Sequence, residues 1–131
     1  MRALRVIIVD DSEAVRRSLR SITEACGAEV VAEAENGLIG VDTAERIRPD
    51  LVLLDVTMPV MSGFAAAQRL RERLPSVQII FVSQHQDRLY ADKAFESGAD
   101  GYVLKRAAAT DLAAALEAVL SHRTFLSPAI A

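Results

Sequence analysis

Four places in the chain carry groups from which phosphoryl chemistry can be assembled: the acidic pair Asp10-Asp11, then Asp55, Ser83 and Lys105. Each stands at the carboxyl end of a short apolar run, namely residues 6–9, 51–54, 79–82 and 102–104. Three carboxylates gathered in one pocket repel one another unless something positive joins them. A hard divalent cation answers this, and Mg2+ in particular binds through one or two carboxylates, keeps waters and shares phosphate oxygens. Lys105 adds a fixed positive charge. Ser83 can donate a hydrogen bond to a phosphoryl oxygen. Nucleophile, metal, cation and donor are the parts needed to move a phosphoryl group onto a carboxylate. Taken singly, each residue has a plainer reading. Asp11 or Ser12 can cap a helix, Asp55 can sit in a turn, and Lys105 can be a solvated strand end. Their joint occurrence, in this order, favours the chemical reading.

These residues converge only if the elements between them place them together. The pattern predicts strands over 4–9, 29–34, 51–54, 78–82 and 102–104, several of them almost continuously apolar. Continuous rather than alternating apolarity means that both faces of the sheet are covered, as in a parallel sheet with helices on each side. Amphipathic stretches fill the gaps. Val15, Leu19, Ile22 and Cys26 share one helical stripe that ends at Gly27. Asn36 caps a helix over 37–46, Pro75 stops one over 63–74, and Gly98 ends one over 88–96. Thr110 or Asp111 opens the last helix, which carries Leu112, Leu116, Val119 and Leu120 on one face. Strict strand–helix alternation predicts an α/β fold, a doubly wound five-stranded parallel sheet in the order 2-1-3-4-5, flavodoxin-like. In that order the first and third strands are neighbours at the topological switch point, where sites form. Asp10, Asp11 and Asp55 then meet in one pocket, with Ser83 one strand away and Lys105 one further.

Length and composition agree with a single globular unit. The 131 residues suit one domain with a real core. With 51% apolar and 25% charged residues, the body of the chain is not a disordered segment. The net charge of −3 gives this segment no basic face for nucleic acid. The single cysteine, Cys26, reads as a small buried hydrophobe and fits a reducing compartment. No signal peptide or membrane span is visible, so the expected location is cytoplasmic. Residues 122–131 depart from the helical pattern and read as the start of a linker, with the folded unit over 1–121.

The set Asp10-Asp11, Asp55-Val56-Thr57-Met58-Pro59, Ser83 and Lys105 closely resembles the receiver domain of two-component response regulators. The resemblance runs from about residue 4 to residue 121. It implies that Asp55 accepts a phosphoryl group from a sensor histidine kinase. It implies that Asp11, Asp55 and the backbone carbonyl of Thr57 ligate Mg2+, with Asp10 acting through a metal-bound water. Lys105 would contact the phosphoryl group, and Ser83 would hydrogen-bond it. Ser83 and Tyr102 would form the switch pair, with the fourth helix, fifth strand and fifth helix as output face. Arg106 stands after Lys105 where many receivers have proline, and Phe125-Leu126-Ser127-Pro128 follows the last helix. Both features resemble the subfamily whose output is a LuxR-type helix-turn-helix domain. The resemblance therefore implies homodimerisation on activation and contact with DNA only through a further C-terminal domain.

Three rivals fit less well. A haloacid-dehalogenase-like phosphohydrolase needs a second aspartate two residues after the nucleophile, where this chain has Thr57. A flavodoxin-like cofactor binder wants a Ser/Thr/Gly-rich first loop, where this chain has Asp10-Asp11-Ser12-Glu13. A phosphorylation-independent interaction module of receiver type would lack one of the acidic pair, the acceptor or the lysine, and all are present. His85 and His122 do not read as phosphorelay histidines: His85 lies exposed in the loop after the fourth strand, and His122 near the end of the last helix, where it can interact with the dipole.

Overall fold

A computed structural model describes residues 2–130. Strands and helices alternate as the pattern requires: β1 Arg5–Val9, α1 Glu13–Ala25, β2 Glu29–Ala34, α2 Gly37–Ile47, β3 Leu51–Leu54, α3 Gly63–Arg73, β4 Gln78–Ser83, α4 Arg88–Glu96, β5 Gly101–Leu104 and α5 Ala108–Leu120. A 3-10 turn over Lys105–Ala107 leads into α5, so that helix begins earlier than Thr110. A short sixth strand, β6 Phe125–Leu126, closes the series.

All pairings are parallel, and the order is β2-β1-β3-β4-β5-β6. The doubly wound order 2-1-3-4-5 is thus present, extended by one strand. Turn-like composition hid β6. Two residues flanked by Thr124 and by Ser127-Pro128 have too little apolar length to register as a strand, and pairing with β5 makes them one.

Alternate residues of each strand feed two cores. Ile7, Val9, Val52, Leu54, Ile79, Phe81, Tyr102 and Leu104 face α2, α3 and α4. Val6, Ile8, Leu51, Leu53, Ile80, Val82 and Val103 face α1 and α5. This two-sided burial is why the strands read as unbroken apolar runs.

Helix starts are set by side-chain caps: Ser12 accepts from the Val15 N–H, Asn36 from Ile39 and Ser62 from Ala65. Cys26 departs from the expectation of burial. It is the exposed C-cap of α1, past the point where the helix leaves the sheet, and Thr23 is the buried residue of that last turn.

Candidate functional site

The carboxyl ends of β1, β3, β4 and β5 form one rim. Val9 pairs with Leu54, Leu54 with Phe81, and Ser83 with Leu104. The residues just beyond these pairs are therefore brought together by register. Asp10, Asp11 and Asp55 present ligand oxygens all within 4.8 Å of one another. Asp10 and Asp55 are buried, whereas Asp11 is exposed at the mouth.

Backbone donors fix the two buried carboxylates. Asp10 Oδ1 accepts from the Ser12 N–H at 2.9 Å. Asp55 Oδ1 accepts from the Val56 N–H at 2.8 Å. The second oxygens face Lys105, whose ammonium lies 2.8 Å from Asp10 Oδ2 and 3.2 Å from Asp55 Oδ2. The Lys105–Asp55 contact is a hydrogen bond. Asp10 Oδ2 is buried, and Lys105 is its one ionic partner among the described residues. One lysine against three carboxylates leaves two uncompensated negative charges in the pocket. That is the donor set and charge of a site for a hard divalent cation.

The electrostatics follow from this crowding. Burial, then the neighbouring charge of Asp10, push the Asp55 carboxyl up to about 6, with Lys105 pulling the other way. Burial works against the Lys105 charge, but Asp10 and Asp55 outweigh it and hold its pKa above the ordinary value.

Gly63 lets the loop after β3 close on the site. A Cβ there would overlap the backbone carbonyl oxygen of Asp55, and it would also press on the Phe81 ring at 2.9 Å. Only glycine permits α3 to start this close behind Asp55.

Ser83 is fully buried, and its Oγ accepts from the His85 N–H at 3.1 Å. Tyr102 lies inward, fully buried, and its hydroxyl donates to the His85 carbonyl at 2.7 Å. Thr57 is exposed two residues past Asp55, and its hydroxyl bonds His85 Nε2 at 3.1 Å. His85 is therefore no bystander. It is partly buried and stacks on Tyr90 with ring centroids 4.0 Å apart. Nothing in a lone loop histidine announces this, because its partners come from three other segments. Arg16 also escaped sequence reading. Its guanidinium donates to the Asp10 carbonyl at 2.7 Å and to Glu33 at 3.0 Å, which steadies the acidic pair from α1. Gln84 and His122 are exposed, whereas His85, expected to be exposed, is not fully so.

Comparison with known proteins agrees with this geometry. The family model for the response regulator receiver domain matches residues 6–117. The chain belongs to the response-regulator receiver family. The receiver is 31% identical over 128 residues to the transcriptional regulatory protein DegU of Brevibacillus brevis, covering 97% of this chain and 54% of the relative. It is 33% identical over 126 residues to the transcriptional regulatory protein LnrK of Bacillus subtilis, covering 95% and 57%. The receiver thus spans little more than half the length of these relatives. Among solved structures, a LuxR-family two-component response regulator from Aurantimonas superposes with a TM-score of 0.93 at 35% identity, covering 98% of this chain and 93% of that one. The signal receiver domain of NarL from Mycobacterium tuberculosis gives 0.87 at 27%, covering 94% and 100%. The receiver is thus a signalling domain of the two-component family, similar to receivers of regulators that include a LuxR-family member. No helix among its described residues is long and apolar enough to cross a membrane.

Proposed function

We propose that this receiver accepts a phosphoryl group on Asp55 from the phosphohistidine of a sensor kinase and thereby controls transcription. The observation that carries this reading is the Lys105 ammonium set between Asp10 and Asp55 at the strand ends. An Asp55 carboxylate oxygen attacks phosphorus, the phosphorus–nitrogen bond to the kinase imidazole breaks, and its electron pair stays on the departing nitrogen. An acyl phosphate results. The residues present fit Mg2+: Asp11, Asp55 and the Thr57 carbonyl would hold it directly, and Asp10 through a water. When bound, Mg2+ neutralises charge on the transferring group. Lys105 moves from its carboxylate partners to the phosphoryl oxygens, and Ser83 donates its hydroxyl to another.

Ser83 and Tyr102 carry the switch. A Ser83 hydroxyl engaged by the phosphoryl group fixes the loop after β4. That favours the inward Tyr102 already bonded to the His85 carbonyl, a shift of population rather than a new shape. The α4–β5–α5 face reads this out. Homodimerisation on activation and DNA contact through a further domain beyond the 122–131 tail complete the reading. The names and lengths of the relatives support it. Residues 125–130 lie against the receiver here, and Ala131 falls outside the described residues.

Intact mass after incubation with acetyl phosphate and Mg2+, beside Asp55→Asn, tests the proposal. A Mg2+-dependent phosphoryl adduct on the parent and none on the variant is expected. No adduct on the parent would favour the phosphorylation-independent interaction module instead.

A further inference from the structure

Arg16 grips the acidic pair from behind. Its guanidinium donates to the Asp10 carbonyl at 2.7 Å and, through Nε, to Glu33 at 3.0 Å. Glu33 lies on β2, and its other oxygen accepts from a second arginine of α1, Arg20, at 2.9 Å. Burial works against the Glu33 charge, but the hydrogen bonds from Arg20 and Arg16 outweigh it and keep its carboxyl below the usual range. The Arg16 side chain is only 16% exposed. A strand carboxylate thus holds a guanidinium fork against one backbone oxygen.

That oxygen ends the peptide group that joins Asp10 to Asp11, and a peptide group is planar. Asp10 is also held at its amide, which donates to the Ala34 carbonyl at 3.0 Å, and at Oδ1, which accepts from the Ser12 N–H at 2.9 Å. Asp11 is exposed at the mouth of the pocket. The direction of its side chain therefore follows from the peptide plane before it.

We propose that Arg16 is a positioning residue for the cation site: by pinning the Asp10–Asp11 peptide it aims the Asp11 carboxylate into the acidic pocket, and Glu33 in turn aims Arg16. The inference rests on the reading of Asp10, Asp11 and Asp55 as a Mg2+ site. The sign of the effect separates positioning from plain electrostatics. An arginine beside a cation site repels the cation, so if Arg16 acted only as a charge, its removal would tighten Mg2+ binding. A group that orients a metal ligand does the reverse, and its loss weakens binding roughly tenfold.

The test is titration of the isotope-labelled chain with Mg2+ alone, followed by amide chemical shifts. Arg16→Gln should raise the Kd roughly tenfold. Arg16→Lys keeps the charge but loses the planar fork that reaches two acceptors, so it should weaken binding too and stays informative if the glutamine variant folds poorly. Glu33→Gln should act in the same direction, and the double variant Arg16→Gln/Glu33→Gln should go no further than Arg16→Gln, because Glu33 acts through Arg16. Arg71→Gln is the comparison for a purely structural loss. Arg71 donates to the carbonyls of Pro75, Val77 and Gly98 in the turns before β4 and β5, and its variant should keep the parent's Kd. Unchanged or tighter Mg2+ binding in Arg16→Gln, or an equal loss in Arg71→Gln, overturns the positioning role while leaving the cation site standing. A parent with no saturable Mg2+ shifts at residues 10–12 and 55–57 overturns both.

Discussion

At the scale of single residues, the site is a conflict of charge held in place by backbone donors. Asp55 ionises reluctantly because it is buried beside Asp10, and its carboxyl stands at about 6 in the folded chain against the usual carboxylate value of about 4 when unfolded. A carboxyl raised on folding binds its proton more tightly in the native state, so metal-free stability falls as pH rises from about 4 through about 6. Asp55→Asn removes this penalty. In chelator it should be about 1–2 kcal/mol more stable than the parent at pH 7.5, with the gain gone by about pH 4. Urea titrations at the two pH values check it, and an equal gain at both would mean that the charge is not the cause. Sequence reading reached Asp10, Asp11, Asp55, Ser83 and Lys105 because each follows an apolar run directly. His85 and Arg16 escaped it. A hydrogen bond to Thr57, a ring on Tyr90 and a grip on the Asp10 carbonyl depend on loop and helix geometry that has no local pattern.

At the scale of elements, closeness between α3 and the end of β3 positions Asp55. Gly63 sits where a side chain would strike the Asp55 carbonyl. Gly63→Ala must move either the helix start or the loop, at a cost of about 2–3 kcal/mol. The displaced carboxylate should also weaken Mg2+ binding. Titration of Mg2+ against the two amide spectra checks this, and wild-type affinity in a folded variant would show that the loop absorbs the clash. The helices and five strands could be read from periodicity and caps. Their ends could not, because the 3-10 turn after Lys105 and the last turn of α1 are decided by packing. Cys26 shows why. Its place on the apolar stripe says which way the helix faces, but not that the helix has run off the sheet by then. The tail strand β6 gives an element-level prediction of its own. Ser127 Oγ donates to Asp111 at 2.8 Å and accepts from the Leu104 N–H at 3.0 Å. Ser127→Ala leaves that buried N–H without its partner and should lower stability by about 1–2 kcal/mol. Thermal unfolding measures it, and an unchanged midpoint would mean that the tail pairs without this anchor.

At the scale of the whole molecule, the same rim serves two purposes that conflict. The fold gathers three carboxylates against one lysine, an arrangement that destabilises the free protein and suits it to a cation. Binding should then return the deficit. At a Mg2+ concentration a hundredfold above the dissociation constant the chain gains about 2.7 kcal/mol, and Asp10→Ala with Asp11→Ala should remove most of that gain. Unfolding midpoints with and without Mg2+ decide the matter, and equal gains in parent and double variant would count against the acidic cluster as the site.

The sheet has two outer edges, and they are finished differently. On one side β2 faces solvent with Glu29 and Glu33, and Arg16 and Arg20 cross to Glu33. Charges there discourage a stray strand from adding on. On the other side, β5 carries Tyr102 and leads straight into Lys105, and it bears no such charges. Its open hydrogen bonds are taken by residues 125–127: Phe125 donates to Asp100, Ser127 to Tyr102, and Leu104 to Ser127. The region matched by the family model stops at residue 117, before any of these bonds. The stretch that identifies the family and the stretch that folds safely are therefore not the same length. A piece cut at residue 117 keeps every group of the acidic pocket but bares the apolar flank of β5, and such a piece should self-associate more strongly than the 131-residue chain at equal concentration, which light scattering on the two would check.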